Sequence, residues 1–548
     1  MSVGAPPMLL IEKQTLDGTA ASIRVPESGN MADHANWPTD FTPRHIMIVV
    51  KSRTDRVVTH ENTDIQMNGD TSSAYHTQRS YSSGTSAPVS ARFDGQANIL
   101  TGTIAGASAT ADTFGVQTIF IPNAFLTVGH GAVLALAGAA HHQNHNSVGR
   151  WASTAAITSL LCVPNIGPNY EAETTLEFYV LDERKLVGEV IRDSNGALSV
   201  GSIPSGTGSL SVIGYLRSDH DVADKFDSVH VDLNSDATDA NYGGQTLQGL
   251  NTTMTTAAFS TRQVGVCSSE QAATGIFCPL FMTVTQFANT GADPFIWCYS
   301  GAHVGDSGLL RTNYNHRNNT EAVTSVGLVP AAGTEWVTGS GLWVYDNSDV
   351  VVDRQTGTGS SGLVTFDIDG LEASGAIPAN TESLMINLYA SNTELGGNQI
   401  KIELNDDETD ANYAHQRTRG TGTTVSGNQS TASRFAGALP GTSEADREGS
   451  GSWMIPDYKG PNFKAVNITM GVAATLAVET MSVVWLNTAA ITDIKMQSGG
   501  GAYSTDSVFE LVALGPKLGW TGTVMGVANP GKVMGVERAN IGKIMGVA

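Results

Sequence analysis

The sequence predicts an all-β protein made of three tandem antiparallel β-sandwich domains of jelly-roll type, followed by an extended C-terminal tail. Two unrelated phrases each occur three times with one shared spacing of roughly 170 residues, which is the size of a domain. Short apolar or alternating runs are separated by turns rich in Gly, Ser, Asn and Thr. No long helical periodicity interrupts them. Together these observations favour β-sandwiches over any helical fold.

The first phrase begins at an asparagine and ends at a tyrosine, and the second follows the pattern Thr-x-Ala-x-Thr. Copies of the first run from Asn68 to Tyr75, from Asn234 to Tyr242 and from Asn405 to Tyr413. Copies of the second occupy 153–160, 319–326 and 487–494. The shared period divides the chain into an N-terminal arm (1–8), three sandwich repeats (9–183, 184–348 and 349–515) and a tail (516–548).

Each repeat is expected to begin with a short polar strand and to continue with a β-branched central strand. The opening strands are predicted at 9–14, 21–25, 350–354 and 363–368, and the central ones at 45–50, 210–215 and 384–389. The next strand, at 229–234 and 400–405, alternates apolar and polar residues, which predicts one buried face and one face in water.

Two further strands complete each repeat. Apolar strands at 119–122, 276–279 and 453–456 are predicted to end at a proline, because proline cannot donate to a ladder. Closing strands are predicted at 176–181, 342–345 and 509–514.

Charge and composition narrow the possible partners. The 52 acidic and 30 basic residues give a net charge of −22, and such a surface repels nucleic acid and anionic membranes. No apolar run is long enough to cross a bilayer and no signal peptide is evident, so we expect a soluble protein made in a cytoplasm. The four cysteines do not recur with the period, which predicts free, buried thiols without a zinc site.

The asparagine and aspartate of the first phrase are predicted to form a repeated turn, and its tyrosine to hold that turn against the sandwich. The residues of this repeat turn are Asn68, Asp70, Tyr75, Asn234, Asp236, Tyr242, Asn405, Asp407 and Tyr413. Calcium is the alternative reading of the same oxygens, with Asn234, Asp236, Asp239, Asn405, Asp407 and Asp410 as ligands. The first repeat lacks the third carboxylate, and no bidentate glutamate follows at the loop spacing, so an Asx-type turn is the preferred interpretation.

Catalytic signatures are absent from the sequence. A histidine-rich segment containing His130, His141, His142 and His145 has polar surroundings and no acidic neighbours, which favours a solvated loop over a metal site. No nucleophile elbow, P-loop or dinucleotide fingerprint occurs, and no carboxylate pair recurs in a setting that would separate two pKa values. We therefore expect neither an enzyme nor a cofactor or metal.

The tail repeats a short apolar unit, Val/Ile-Met-Gly-Val, three times. We interpret it as a docking segment that adds to a sheet edge or fills a groove on another subunit, with a strand folded back on the third repeat as the alternative. Its apolar contacts are expected from Val524, Met525, Val527, Val533, Met534, Val536, Ile544, Met545 and Val547.

The order of these phrases resembles a β-sandwich module of structural proteins in tailed-phage virions. The resemblance extends from Leu9 to Leu514 and includes the turns at 52–55 and 217–219. It implies a virion protein, assembled in the host cytoplasm, that acts as a tail fibre, head appendage or capsid-decoration protein. It further implies contacts with other virion proteins and a homo-oligomer, for which fibres of this group suggest a trimer.

The rival interpretation is an adhesin for host attachment that binds a surface glycan through exposed aromatic rings. The candidate stacking residues are Trp151, Trp297, Trp343 and Trp453, with burial in a core as the alternative for most of them. A capsule depolymerase is a third, weaker alternative.

Overall fold

The structure is a computed structural model of the chain. It describes residues 7–515 except 126, 140–141, 205–208, 222–224, 286–292, 348–349, 395–397, 442–448 and 473–476. Beyond residue 515 it describes the backbone of 523–524, 527–528, 532–533 and 536–537.

Thirty-six strands fall into three sets of twelve, which we call domains 1, 2 and 3. Domain 1 contains β1 (Met8–Thr15), β2 (Ile23–Val25), β3 (Ile46–Ser52), β4 (His60–Met67), β5 (Tyr75–Ser83), β6 (Val89–Gln96), β7 (Ile99–Ala105), β8 (Gly115–Ile121), β9 (Gly131–Ala139), β10 (Gln143–Trp151), β11 (Leu160–Pro164) and β12 (Thr175–Leu181). Domain 2 contains β13 (Leu186–Ile191), β14 (Leu198–Val200), β15 (Leu210–Leu216), β16 (Phe226–Leu233), β17 (Tyr242–Leu250), β18 (Thr253–Phe259), β19 (Gln263–Ser268), β20 (Cys278–Thr285), β21 (Phe295–Val304), β22 (Ser307–Arg317), β23 (Val326–Pro330) and β24 (Gly341–Asp346). Domain 3 contains β25 (Val351–Thr356), β26 (Leu363–Asp367), β27 (Ser383–Ala390), β28 (Asn398–Leu404), β29 (Tyr413–Thr421), β30 (Thr424–Ser430), β31 (Phe435–Leu439), β32 (Gly449–Ile455), β33 (Lys464–Val472), β34 (Ala477–Trp485), β35 (Asp493–Ser498) and β36 (Val508–Leu514).

Helices are short in the described residues. One α-helix, α1 (Ile368–Ala373), follows β26, and single 3₁₀ turns lie at Met31–Asp33, Glu183–Lys185, Asp239–Asn241 and Asp410–Asn412. Within this described part of the chain, no helix has the length and apolar character that a membrane span requires.

The strand order in every domain is that of a jelly roll with two added hairpins. Domain 1 pairs an eight-stranded sheet, β1-β12-β3-β8-β9-β10-β5-β6, with a four-stranded sheet, β2-β11-β4-β7, and the other domains repeat this order. The first four strands of the large sheet and the whole small sheet make the eight-stranded jelly roll. The hairpins β5–β6 and β9–β10 extend the large sheet. All strand ladders are antiparallel, so the predicted fold class is confirmed.

The two sheets of a domain differ in how many of their faces are buried. The small-sheet strand β16 alternates between buried and partly exposed residues, as the pattern at 229–234 predicts. The large-sheet strand β3 is buried along its whole length, because Ile46 and Ile48 enter the core of domain 1 while Met47 and Val49 enter a second core on the other face. Successive side chains of a strand point to opposite faces, so the continuous apolar run reflects burial on both sides.

One predicted strand boundary was wrong. The run at 276–279 was expected to end a strand at its proline, but β20 begins at Cys278 and continues to Thr285. The pairing of β20 with β15 shows that Val284 occupies the position of Ile121 and Ile455, each of which does precede a proline. The four cysteines are free and buried, as predicted.

The domains are consecutive in sequence, but in space they close on one another. Each domain has a core of its own, and a fourth apolar cluster draws on the outer faces of all three large sheets. Phe120 of domain 1, Trp297 of domain 2 and Met385 of domain 3 all belong to this shared core. They also line a cavity of about 110 Å³ in which residues of the three domains meet. Each domain therefore contacts both of the others.

Candidate functional site

The asparagine of the repeat turn binds the second phrase directly. Asn68 Oδ1 accepts hydrogen bonds from the backbone N–H groups of Thr158 (2.7 Å) and Ser159 (3.2 Å). Its Nδ2 donates to the carbonyl of Ala156 at 2.8 Å. The residue has φ +55°, a left-handed conformation that asparagine adopts more readily than most residues.

The other two repeats reproduce this contact with their own residues. Asn234 Oδ1 accepts from the N–H of Thr324 at 2.6 Å, and Asn405 Oδ1 accepts from the N–H of Thr492 at 2.7 Å. Their Nδ2 groups donate to the carbonyls of Ala322 and Ala490. The two phrases keep one period because each copy of the first is bonded to the matching copy of the second.

The tyrosine at the end of the phrase holds the turn from inside the sandwich. The Tyr75 hydroxyl accepts from the N–H of Met67 at 2.9 Å and donates to the carbonyl of Asp70 at 3.0 Å. Tyr242 and Tyr413 make the equivalent contacts with the turns of domains 2 and 3. All three rings are buried, so each hydroxyl spans the turn while its ring fills a core.

The aspartate of the turn receives a bond from the last residue of a neighbouring strand. Trp151 Nε1 donates to Asp70 at 2.7 Å, and Trp485 Nε1 donates to Asp407 at 2.8 Å. In domain 2 the same position holds Arg317, whose Nε donates to Asp236 at 3.1 Å. Sequence reasoning assigned Trp151 no counterpart, although all three residues stand two positions before the second phrase. Domain 2 has an arginine where domains 1 and 3 have a tryptophan, so the sequence pattern does not reveal that the three positions are equivalent.

The oxygens considered for calcium are engaged by N–H donors. Asp239 Oδ1 accepts from Arg262 Nε at 3.0 Å, and Asp410 Oδ1 accepts from Arg434 Nε at 2.9 Å. Hydrogen bonds from Arg434 lower the pKa of Asp410, so the carboxylate form is favoured without an ion. The geometry is that of an Asx-type turn stabilised by arginine.

The tryptophans considered for glycan stacking lie in the interior. Trp343 and Trp453 are fully buried, and Trp151 and Trp297 expose 3% and 8% of their surface. Sugar stacking requires an open ring face, so these four residues do not form the expected exposed platform. They pack instead in the domain cores or in the shared core.

The histidine-rich segment is not the expected solvated loop. Residues 143–151 form β10, which is buried along its whole length, and His145 within it is fully buried. Burial lowers the pKa of His145 well below its ordinary value, so this ring is neutral. Burial likewise lowers the pKa of His130 to about 4. His141 lies outside the described residues.

A closed set of three glutamine contacts joins the domains. Gln78 Nε2 donates to the carbonyl of Asn251 in domain 2 (2.9 Å), and Gln245 Nε2 of domain 2 donates to the carbonyl of Gly422 in domain 3 (2.9 Å). Gln416 Nε2 completes the set by donating to the carbonyl of Gly84 in domain 1 (3.0 Å). Each glutamine stands three positions after the tyrosine of its phrase, and each acceptor lies at the turn of the next domain's hairpin.

This order of contacts is the one that a threefold rotation produces. The three acceptors, Asn251, Gly422 and Gly84, have φ values of +50°, +55° and +58°, so each hairpin turn begins with a residue of positive φ. In this cyclic arrangement every domain donates one glutamine hydrogen bond and accepts another, so no domain is left without a partner. A single chain therefore contains the interfaces that a trimer of single jelly rolls would form.

The contact between domains 1 and 3 contains buried charges. Lys51, on β3, forms an ion pair with Asp457 of domain 3, and both side chains are less than 10% exposed. Lys13 lies 3.5 Å from the other oxygen of Asp457 and 2.6 Å from Glu382. Glu177 Oε2 accepts from the hydroxyl of Ser383 at 2.6 Å. Because Lys51 and Asp457 have little access to water, each of these two charges depends on its partner across the contact.

Glu177 should make this contact sensitive to pH. Burial raises the pKa of Glu177 to about 7, although hydrogen bonds from Ser383 and Tyr179 and the charge of Lys13 oppose the shift. In the unfolded chain the carboxyl ionises near 4.5, so between these values the folded state keeps a proton that the unfolded state loses. The contribution of Glu177 to the free energy of unfolding should therefore be fully present below pH 4.5, decrease with rising pH by up to about 1.4 kcal/mol per pH unit, and be lost above pH 7.

Thermal unfolding at pH 5, 6, 7 and 8 measures this effect. We expect Glu177→Gln to flatten the dependence. Part of the slope should remain in that variant, because burial also raises the pKa of Glu183 to about 7. Identical slopes for the variant and the parent would show that Glu177 does not carry the effect.

The tail is described only in part. Thr523–Val524 pairs with Val527–Ala528, and Lys532–Val533 pairs with Val536–Glu537. These strands therefore form two short hairpins, and neither joins a domain sheet. Met525, Met534, Ile544, Met545 and Val547 lie outside the described residues.

Comparison with known proteins identifies no family for this chain. No protein family matches the sequence, and no curated protein is similar to it. Among solved structures, the Ruminococcus gnavus IT-sialidase CBM40 bound to alpha2,6 sialyllactose is 8% identical over 30% of this chain and 92% of its own, with a TM-score of 0.13. Pseudomonas aeruginosa OpdQ is 9% identical over 84% of this chain and 98% of its own, with a TM-score of 0.10. Likenesses at this level carry no argument about fold or function.

Proposed function

We propose that the protein is a structural subunit of a tailed-phage particle, in which three jelly rolls act as one closed unit and the C-terminal tail attaches that unit to its neighbours. The observation that carries the proposal is the closed set of glutamine contacts among the domains. This set supports the proposal because a residue repeated in every copy, the glutamine, joins that copy to the next.

The residues common to the repeats support a scaffolding role. The asparagine, tyrosine and glutamine of each copy bond to backbone groups inside the protein. The carboxylates with strongly raised pKa values are also held by hydrogen bonds inside the protein. Burial raises the pKa of Asp64 to about 6, and the amides of Asn98 and Asn165 donate to its carboxylate.

The polar cleft of domain 1 also fits this role. It is lined by Arg56, His60, Glu61 and Arg79 among others. Glu61 Oε1 accepts from the N–H groups of Ile166 and Gly167, so this carboxylate holds a loop.

A unit with threefold-like symmetry suits a symmetric place in a particle. Three equivalent edges can meet three equivalent partner surfaces, so we expect it to sit on a threefold axis or on a trimeric neighbour. The net charge of −22 keeps such a subunit soluble before assembly in the host cytoplasm and disfavours nucleic acid as its partner.

Deletion of residues 516–548 tests the role of the tail. We expect the shortened chain to fold with an unchanged melting temperature, because the described tail strands pair only with each other. Incorporation into particles should be lost, since the apolar docking units are removed. Quantitative mass spectrometry of purified particles measures incorporation. A deletion of 538–548 alone, which removes one unit of three, serves as the graded control.

Three outcomes would count against the proposal. Normal incorporation of the shortened chain would refute docking through the tail. Selective, saturable binding of the full chain to one compound of a glycan array would favour the adhesin, and release of reducing ends from host capsule would favour the depolymerase.

A further inference from the structure

Three ligand-type side chains converge at the contact between domains 1 and 2. They are His76 on β5, Asp94 on β6 and His303 on β21 of the second domain, and their nearest ligand atoms all lie within 4.8 Å of one another. Asp94 Oδ1 is 2.8 Å from His303 Nε2 and 3.4 Å from His76 Nδ1. Among the residues that the structure describes, this is the one group of three His, Cys, Asp or Glu side chains close enough to share an ion.

The separations are close to those of a metal site. A tetrahedral ion with bonds of about 2.0 to 2.1 Å places its ligand atoms about 3.3 Å apart. Two of the three separations here differ from that value by about half an ångström or less. The third separation, between the two imidazoles, is within 4.8 Å, so the rings would have to approach each other to bring all three atoms to one ion.

His303 lacks an aligned partner of its own. Its ring is 1% exposed, and neither ring nitrogen makes a hydrogen bond of good geometry within the described residues. Buried polar atoms without a partner are uncommon in folded proteins and call for an explanation. A bound ion would satisfy one of these nitrogens.

Asp94 is already oriented for such a role. Arg92 Nε lies 3.0 Å from Asp94 Oδ2, which leaves Oδ1 directed at the two imidazoles. Outer groups that fix a ligand in this way are a regular part of metal sites. Arg92 and the nearby Arg150 also add positive charge, so we expect weaker binding than at a structural zinc site with four protein ligands.

The group belongs to one of the three domain contacts only. His76 directly follows Tyr75, and the corresponding residues after Tyr242 and Tyr413 are Gly243 and Ala414. Neither of those side chains can bind a metal. His76 is therefore specific to the contact between domains 1 and 2 and is not part of the repeated sequence pattern.

We propose that His76, Asp94 and His303 bind one divalent transition-metal ion of the zinc type, which fastens domain 1 to domain 2. Two imidazoles and one carboxylate suit zinc or cobalt better than calcium or magnesium, which prefer oxygen ligands. Water would complete the coordination, because the side chains of His76 and Asp94 are partly exposed.

Titration of the untagged full-length chain with Co²⁺ and Zn²⁺ tests the proposal. We expect one ion per chain, visible Co²⁺ absorption bands of a low-coordinate site, and a higher unfolding midpoint that a chelator reverses. His76→Gly and Asp94→Ser should each weaken binding at least tenfold. His230→Gln is the matched control, because this histidine lies on β16 in the small sheet of domain 2 and outside the group.

The variants separate metal binding from folding. His76 and Asp94 are partly exposed, so their replacements should leave the metal-free unfolding midpoint close to that of the parent. Absence of binding to the parent chain would overturn the proposal. Equal affinity in His76→Gly, Asp94→Ser and the parent would do the same, because it would place the ion elsewhere on the surface.

Discussion

Replacement of Asp457 by alanine should open the contact between domains 1 and 3. The substitution leaves the buried ammonium of Lys51 without its carboxylate and removes the second anion beside Lys13. Removal of one partner from a buried ion pair typically costs about 3 to 5 kcal/mol, since the remaining charge stays desolvated. This is enough to break a contact between domains while the separate domain cores persist.

Small-angle scattering and limited proteolysis measure the opening. We expect a larger radius of gyration and new cleavage near the contact. Asp457 has φ +47°, so Asp457→Asn, which keeps this conformation favourable, separates loss of charge from backbone strain. The double variant Lys51→Met with Asp457→Asn should recover part of the loss, because it leaves no unpaired charge at that pair and keeps a residue that tolerates positive φ.

An exposed ion pair provides the control. Lys225 and Asp306 pair within domain 2, and their side chains are 33% and 77% exposed. Asp306→Ala should leave the scattering profile unchanged, because surface pairs contribute little to stability. If Asp457→Ala behaved in the same way, the buried charges would not be what holds domains 1 and 3 together.

Replacement of Asn234 by alanine should have the second largest effect and should act within domain 2. It removes the acceptor of the Thr324 and Ser325 N–H groups and the donor to the Ala322 carbonyl. Thr324 is exposed and Ser325 and Ala322 are half-buried, so water replaces part of the lost bonding, and each hydrogen bond contributes a net of about 0.5 to 1.5 kcal/mol. Alanine is additionally strained at φ +57°. We expect a loss of about 2 kcal/mol in total.

Hydrogen exchange resolved by domain measures this loss, because a chain of three domains does not unfold in one step. Protection should fall in β16 and β23, which flank the bonded segments, and should persist in domains 1 and 3. Asn234→Gly removes the side chain but keeps the positive φ favourable, so this variant should lose less protection in domain 2 than Asn234→Ala. Equal protection in all three proteins would mean that this asparagine does not link the two phrases.

Much of each domain could be predicted from the sequence. The alternation at 229–234 predicted a half-buried strand, and β16 is one. The period of the two phrases predicted three copies of one sandwich. These features depend on neighbouring residues and on the two-residue period of a strand, so they can be recognised in a short stretch of sequence.

The candidate site was predicted less completely. The repeat turn was found from its asparagines and tyrosines, but the link between Trp151, Arg317 and Trp485 was missed because the residue type changes while the bond to aspartate is kept. The sequence left open whether the tryptophans are exposed or buried, because it does not reveal what covers the outer face of the large sheet. The other two domains cover that face at Trp297 and Trp343, whereas Trp151 and Trp453 lie in the cores of their own domains.

The sequence by itself determined that one β-sandwich plan occurs three times and which residues form its repeated turn, because both depend on contacts that recur within each copy. Only the tertiary structure decided that the copies close on one another and bring His76 beside His303. Those contacts join residues far apart in the chain, and their acceptors are the backbone carbonyls of Asn251, Gly422 and Gly84, which have a positive φ in common. A bond to a backbone carbonyl leaves no residue type for a sequence pattern to repeat.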